Sequence, residues 1–317
     1  MNVEQNYNLA FVFPGQGSQS IGMLSELAAS YPIVTETFEQ ASDTLGFDLW
    51  NLVQKGTVED LNQTHNTQPA MLAAGIAVWR VWGQQTSLKP AWVAGHSLGE
   101  YSALVCAEAM TFDDAVKLVA ERGRLMQSAV PVGIGAMAAI IGLEDHQVVN
   151  VCKSVADNEV VSAVNFNAPG QVVIAGHTAA VERAMVAAKE AGAKRALKLP
   201  VSVPSHCALM EGAAEQLNLK LQEITIDIPK MTLIHNVDVT AHSASEVICN
   251  ALKEQLFKPV RWVDTIKFMH DQGVTSFVEA GPGKVLMGLN KRIVKGANHM
   301  TMFDPASLDN VLEQLNG

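Results

Sequence analysis

The chain has 317 residues, of which 48% are hydrophobic and 17% are charged. This length allows one large domain or two smaller ones, and this composition excludes a disordered chain or a small disulfide-stapled module. The 32 acidic residues outnumber the 22 basic ones and give a net charge of −10, so neither nucleic acid nor an anionic membrane is expected as the main partner.

Neither a membrane span nor a secretion signal is predicted. The apolar stretch at 125–143 is interrupted by Pro131, two glycines and polar residues, whereas a span needs about 20 predominantly apolar residues. The first eight residues, MNVEQNYN, lack the basic segment of a signal peptide. The four cysteines lie far apart without a CxxC pair, which favours reduced thiols in a cytoplasmic protein over a disulfide framework or a zinc site.

Short apolar runs alternate with longer helical patterns in the first part of the chain, which is typical of an α/β protein with a mainly parallel sheet. The run LAFVF predicts a buried strand that stops at Pro14 and Gly15. Thr111, followed by Asp114, predicts the N-cap and first turn of a helix. The elements predicted here are strands at 9–13 and 91–94 and helices at 34–45, 69–82, 98–107 and 111–127.

The middle of the chain has a different pattern, β-α-β-β-α-β, which is the ferredoxin-like split βαβ unit. We therefore predict a small inserted subdomain at 130–202, carried on a discontinuous large subdomain made of 1–129 and 203–317. The small subdomain is predicted to contain strands at 135–142, 160–166, 171–176 and 195–201 and helices at 145–156 and 178–191. The large one resumes with a helix after Pro204, a strand at 233–236, a helix at 245–256 and a strand at 275–281.

The sharpest motif is G-x-S-x-G at 95–99, between a predicted strand and a predicted helix. Such a turn is so tight that small residues must flank the serine, and it leaves the Oγ of Ser97 exposed at the carboxyl end of the strand. The next backbone N–H, that of Leu98, then points toward the same space. The motif predicts a nucleophile, and the alternative is an ordinary glycine-rich strand-to-helix turn.

A serine nucleophile needs a base. His206 follows two prolines in PVSVPSH at a predicted helix start, where its side chain could reach the rim of a cleft. His96, inside the tight turn, would point away from Ser97. Because an isolated histidine is more often structural than catalytic, spacing alone leaves His206 a candidate. Neither an HExxH motif nor a close His/Cys cluster predicts a metal site.

The segment FPGQGSQ at 13–19 follows the first strand but lacks the third glycine and the distant acid of a dinucleotide-binding fingerprint. An alternative is that its glycines let a backbone N–H approach a substrate oxygen, as half of an oxyanion hole that the N–H of Leu98 completes.

Two arginines occur late in the helix that begins at Thr111. The apolar spacing places Arg122 on the buried face and Arg124 on the outer face. A buried guanidinium is costly unless it is paired. Its partner could be a substrate anion or an internal acid such as Glu100, and the helical pattern alone does not decide between them.

Taken together, the motifs resemble one family, the bacterial malonyl-CoA:acyl carrier protein transacylases of type II fatty acid synthesis. The resemblance spans nearly the whole chain in the family's order and implies an α/β-hydrolase-like large subdomain with a parallel sheet and an inserted ferredoxin-like small one. The matching blocks are FVFPGQGSQ (11–19), LNQTHNTQPAM (61–71), GHSLGEYSALVCA (95–107), the helix around Arg122, VNFNAPGQVVIAGH (164–177), VPSHCALM (203–210), HNVDV (235–239) and VEAGPGKVL (278–286).

The resemblance also implies roles for individual residues. Ser97 would carry the acyl group and His206 would be its general base. A backbone carbonyl near Gln255, rather than an acid, would orient the histidine. The N–H groups of Gln16 and Leu98 would form the oxyanion hole.

For the substrate, the resemblance implies that Arg122 pairs with the free carboxylate of the malonyl group. The pocket would also be lined by Met126, Asn165 and Asn167. The implied reaction moves malonyl from malonyl-CoA to the phosphopantetheine thiol of holo acyl carrier protein, by a ping-pong mechanism through a malonyl-serine. No bound cofactor is expected, the carrier protein is a transient partner, and the enzyme is expected to be a cytoplasmic monomer.

Two other functions remain as alternatives. A serine hydrolase or thioesterase on a related fold would use the same Ser97 and His206, but such enzymes usually need a third, acidic member, and none stands out in the sequence. A catalytically silent carrier-binding module is the second alternative, and the intact Ser97, His206 and Arg122 speak against it.

Overall fold

The computed structural model describes residues 4–201 and 203–316 and is built on two sheets. The first sheet is parallel, and its strands in spatial order are β7 (Thr232–Ile234), β2 (Leu88–Gly95), β1 (Glu4–Phe13), β8 (Ser276–Ala280) and β9 (Asn298–Met302). The second sheet is antiparallel, in the order β4 (Val161–Ala168), β5 (Gln171–His177), β3 (Gly135–Ile141) and β6 (Arg195–Lys198). This mixed α/β architecture confirms the fold class predicted from the sequence.

The helices follow in chain order. Their bounds are α1 (Ser25–Ser30), α2 (Ile33–Leu45), α3 (Leu49–Lys55), α4 (Val58–Leu61), α5 (Thr64–Gln85), α6 (Gly99–Cys106), α7 (Phe112–Ser128), α8 (Asp145–Val155), α9 (Thr178–Glu190), α10 (Glu211–Leu221), α11 (Ser245–Gln255), α12 (Trp262–Asp271), α13 (Val285–Ile293) and α14 (Pro305–Asn316), with a short 3₁₀ turn at Ala208–Met210. None of the helices in this part of the chain is long and apolar enough to cross a membrane. All four cysteines are free thiols.

Strand β1 lies in the middle of the parallel sheet and is covered on both faces. Leu9, Phe11 and Phe13 pack into the core formed with α2, α5 and α7. The alternate residues Ala10 and Val12 pack into a second core, which contains residues of α12 and α13. Burial on both faces explains why this strand has a continuous apolar run instead of alternating polar and apolar residues.

The antiparallel sheet has α8 and α9 packed on one face. Its edge strand β4 is joined to the larger part of the molecule by backbone hydrogen bonds. The N–H of Phe166 donates to the carbonyl of Val260 over 3.0 Å, and the N–H of Val260 donates to the carbonyl of Val164 over 2.8 Å. The division into a large subdomain, 1–129 and 203–317, and a small one, 130–202, stays a prediction. Residues 1, 202 and 317, at which these ranges begin or end, lie outside the described residues.

Helix α5 begins five residues earlier than predicted from the sequence, at Thr64 instead of Pro69. Proline is favoured in a first turn because it lacks an N–H, but here it lies inside the helix. The first turn is packed closely against α7: a Cβ on Gly123 would lie 2.6 Å from the Cα of His65. Tertiary packing therefore sets this helix start, which the local sequence signal missed.

The glycines on either side of Ser97 have no room for a side chain. A Cβ on Gly95 would lie 1.8 Å from the carbonyl carbon of Gly99, and one on Gly99 would lie 2.0 Å from the carbonyl oxygen of Phe13.

We expect Gly95→Ala to lower the free energy of unfolding by about 3 kcal/mol or more, because the backbone around the turn has to move. Urea denaturation would measure this change. Gly83→Ala, in α5 with no atom within 4 Å of its Cβ, is the matched control and should be neutral or stabilising. Equal stability of both variants would contradict the steric argument.

Candidate active site

Ser97 lies in the turn between β2 and α6, at the carboxyl end of the parallel sheet. Its φ of +52° is in the left-handed region, which is unfavourable for a residue with a side chain. Side chains hold both of its peptide groups: its N–H donates to Asn236 Oδ1 over 2.7 Å, and its carbonyl accepts from Gln255 Nε2 over 2.9 Å. The strained turn is thus held in place from two sides.

His206 is placed against Ser97. Its Nε2 lies 2.8 Å from Ser97 Oγ, and its Nδ1 lies 2.6 Å from the backbone carbonyl oxygen of Gln255. Because a carbonyl oxygen only accepts, Nδ1 carries the proton and Nε2 presents its lone pair to the serine hydroxyl. The residue also has a positive φ, +65°, and its N–H donates to the carbonyl of Leu256 over 2.8 Å. The ring is therefore fixed in the orientation of a general base.

The surroundings keep this imidazole neutral. The pKa of His206 is lowered from 6.5 to about 3: burial lowers it most, the positive charge of Arg122 adds to this effect, and the hydrogen bond to the Gln255 carbonyl opposes both. At neutral pH the ring can thus accept a proton from Ser97 without first losing one.

Arg122 extends from α7 to the same place. Its guanidinium is buried and donates to Gln68 Oε1 over 2.8 Å, to Gln255 Oε1 over 2.9 Å and to Ser97 Oγ over 3.3 Å. Within residues 4–201 and 203–316, no carboxylate lies within salt-bridge distance of it. Glu100, the internal partner that the sequence left open, is separated from it by the amide of Gln255. The cation is therefore solvated by neutral amides rather than neutralised.

A cavity of about 130 Å³ opens at Ser97. Its wall includes Gln16 and Leu98, and neither of their backbone N–H groups donates to an acceptor in the described part of the protein. The cavity adjoins a larger groove of about 460 Å³, with which it shares Gln16, Leu199, Val201 and Val203. The Ser97 hydroxyl therefore lies at a cavity whose wall also includes Gln16 and Leu98 and which a larger groove adjoins.

Most of the predicted site residues meet at this cavity. Those that line it are Gln16, Ser97, Leu98, Arg122, Met126, Asn165 and His206. Gln255 is buried behind it. Asn167 does not line it, contrary to the expectation from the resemblance: its Oδ1 lies 2.8 Å from Nε2 of His96, so the side chain is used to hold that ring.

Four further residues contribute that the sequence analysis did not place in the site. Gln68 holds Arg122, and Asn236 holds Ser97. Glu100 and His235, both fully buried, contact each other over 2.7 Å beneath the serine turn. A usable signal for two of them was the polar pair His235-Asn236 directly after β7, because carboxyl ends of neighbouring parallel strands meet at one edge. Across the chain as described, no group of three or more His, Cys, Asp or Glu residues could hold a metal ion.

Comparisons with known proteins agree on one family. A family model described as an acyl transferase domain matches residues 10–304. The malonyl CoA-acyl carrier protein transacylase of Salmonella typhimurium is 57% identical over 305 residues, covering 96% of this chain and 99% of that protein.

Solved structures are equally similar. The crystal structure of an acyl carrier protein S-malonyltransferase from Vibrio cholerae has a TM-score of 0.94 at 59% identity, covering 96% of this chain and 99% of that one. The structure of a malonyl-transacylase in complex with a type II PKS acyl-carrier protein has a TM-score of 0.96 at 54% identity, covering 97% and 99%.

The low pKa of His206 predicts a pH dependence of stability. Its folded-state pKa of about 3 lies below its ordinary value of 6.5, so the unfolded chain takes up the proton first as the pH falls. Lowering the pH from about 7 to about 5 should therefore reduce the free energy of unfolding by about 2 kcal/mol through His206. Urea denaturation of the wild type and His206→Gln should show the wild type losing this amount relative to the variant. Val203→Ala, a non-titrating change at the same cavity, should keep a constant difference from the wild type. A constant difference for His206→Gln as well would refute the shift.

Proposed function

The chain belongs to the family of malonyl CoA-acyl carrier protein transacylases, and from this membership we propose that it moves the malonyl group of malonyl-CoA to the phosphopantetheine thiol of holo acyl carrier protein through a malonyl-serine. One observation carries the proposal: Ser97 Oγ lies 2.8 Å from the base His206 and 3.3 Å from the unneutralised guanidinium of Arg122. A nucleophile beside a buried cation suits an acyl group that carries its own carboxylate.

In the first half-reaction, His206 Nε2 takes the hydroxyl proton as Ser97 Oγ attacks the thioester carbon. The tetrahedral oxyanion accepts hydrogen bonds from the N–H groups of Gln16 and Leu98. The C–S bond then breaks, and His206 returns the proton to the departing coenzyme A thiolate, which leaves as the thiol. The product is a malonyl ester of Ser97.

In the second half-reaction, the phosphopantetheine thiol of the carrier attacks that ester and gives its proton to His206. The C–O bond breaks, the proton passes to Ser97 Oγ, and the malonyl thioester leaves on the carrier. Because coenzyme A departs before the carrier reacts, the kinetics are ping-pong. Action as a cytoplasmic monomer stays a prediction.

Arg122 selects the substrate. A malonyl carboxylate can pair with the guanidinium, whereas an acetyl group leaves that buried cation without an anion. Because a buried charge without its partner is costly, acetyl-CoA should be strongly disfavoured as a substrate. The Gln68 and Gln255 amides hold the guanidinium beside Ser97 before the substrate arrives.

The first test is intact-protein mass spectrometry after brief incubation with malonyl-CoA, followed by holo acyl carrier protein. We expect a malonyl adduct on the wild type that is discharged onto the carrier, and no adduct on Ser97→Ala, which lacks the nucleophile. Accumulation of coenzyme A and malonate without an adduct would instead support a serine hydrolase. Absence of any reaction would support a carrier-binding module without catalysis.

The second test addresses acyl selectivity. We expect Arg122→Ala to lower kcat/KM for malonyl-CoA by about 10²-fold or more while acetyl transfer is kept or increased, because the anion loses its partner. Arg124→Ala is the matched control, since Arg124 lies two residues away on the exposed face and contacts Glu121. It should behave as wild type in both assays, and undiminished malonyl transfer by Arg122→Ala would overturn the assignment.

A further inference from the structure

Glu100 is a fully buried carboxylate that the mechanism leaves unused. It lies in the first turn of α6, three residues after Ser97, but His206 is oriented by a backbone carbonyl and not by this acid. Its Oε1 accepts from His235 Nδ1 over 2.7 Å. Its Oε2 accepts from the N–H of Asn236 over 3.1 Å and from Gln255 Nε2 over 2.8 Å.

Those contacts determine which way the Gln255 amide faces. Its Oε1 meets Arg122 Nη2, which can only donate, and its Nε2 meets Glu100 Oε2 and the Ser97 carbonyl, which can only accept. A reversed amide would place NH₂ against the guanidinium and oxygen against the carboxylate. Gln255 therefore has one satisfactory orientation, and in that orientation it holds Arg122 beside the serine.

The same carboxylate oxygen supports the other side of the serine turn. It accepts from the backbone of Asn236, whose side chain accepts the Ser97 N–H and donates to the Gly95 carbonyl over 2.7 Å each. One atom, Glu100 Oε2, thus fixes the two residues that hold the strained serine.

We propose that Glu100 is a positioning residue, which through Oε2 sets the Gln255 amide and so holds the Arg122 guanidinium where a malonyl carboxylate binds. This inference rests on the proposed function of Arg122. It makes acyl selectivity depend on a carboxylate that touches neither substrate nor the catalytic histidine.

Two substitutions separate the position of the acceptor from its charge. Glu100→Gln keeps an oxygen at the same reach and removes the charge. Its NH₂ would face His235 Nδ1, which can become an acceptor because the proton can move to Nε2, an atom with no partner in the described structure. Glu100→Asp keeps the charge but withdraws the oxygens by about one bond length, 1.5 Å, out of hydrogen-bond reach of Gln255.

The readout is the ratio of kcat/KM for malonyl-CoA to that for acetyl-CoA. Glu100→Asp should lower this ratio by about tenfold or more, because Arg122 loses its fixed amide partner, and Glu100→Gln should stay within about threefold of the wild type. The matched control is Glu279→Gln. Glu279 is a buried acid in β8, and burial raises its pKa to about 7, so that the amide of glutamine resembles the neutral carboxyl group. It should leave the ratio unchanged.

An unchanged ratio in Glu100→Asp would overturn the proposal. So would a loss in Glu100→Gln as large as that in Glu100→Asp, because charge rather than acceptor position would then be decisive. The wild-type adduct assay separates these failures from failure of the proposed function. If the wild type forms no malonyl-serine, the proposed function is wrong. If it does form the adduct, the results for the two variants test only the proposed role of Glu100.

Discussion

The buried guanidinium of Arg122 is the constraint on which the rest of the site depends. An unpaired charge in a protein interior is costly, and here amide oxygens from Gln68 on α5 and Gln255 on α11 solvate it in place of water. The Tyr101 ring lies 5.5 Å from the guanidinium carbon and adds a polarisable face. Three helices must therefore meet at one point, which explains why α7 packs so closely on α5 that only glycine fits at position 123.

This cation also accounts for the neutral partner of His206. A carboxylate against Nδ1 would raise the pKa of the ring and would compete for Arg122 with the malonyl carboxylate that we propose it binds. A backbone carbonyl orients the ring equally well without adding charge. Glu100 lies behind the Gln255 amide and forms no salt bridge with the guanidinium in the described residues.

The cavity itself needs both sheets. Ser97 and Leu98 come from the carboxyl edge of the parallel sheet, whereas Met137 and Asn165 come from strands of the antiparallel one. Backbone hydrogen bonds between β4 and Val260 hold the two together. The Ser97 hydroxyl consequently lies at a cavity lined from both sheets, and a larger groove adjoins that cavity.

The sequence by itself determined the local features: the order of strands and helices in both subdomains, the glycine-flanked turn that contains Ser97, and the buried helix face that carries Arg122. The resemblance of its motifs also indicated the family. Each of these depends on neighbouring residues, since sterics of a tight turn and helical periodicity act within a few positions. Only the tertiary structure decided the start of α5 at Thr64, the contact of Asn167 with His96, and the hydrogen bonds that join Glu100 to Gln255. Those contacts depend on which strand and helix ends meet in space. Glu100 and Gln255 are 155 positions apart, and no local sequence pattern indicates that they form a hydrogen bond.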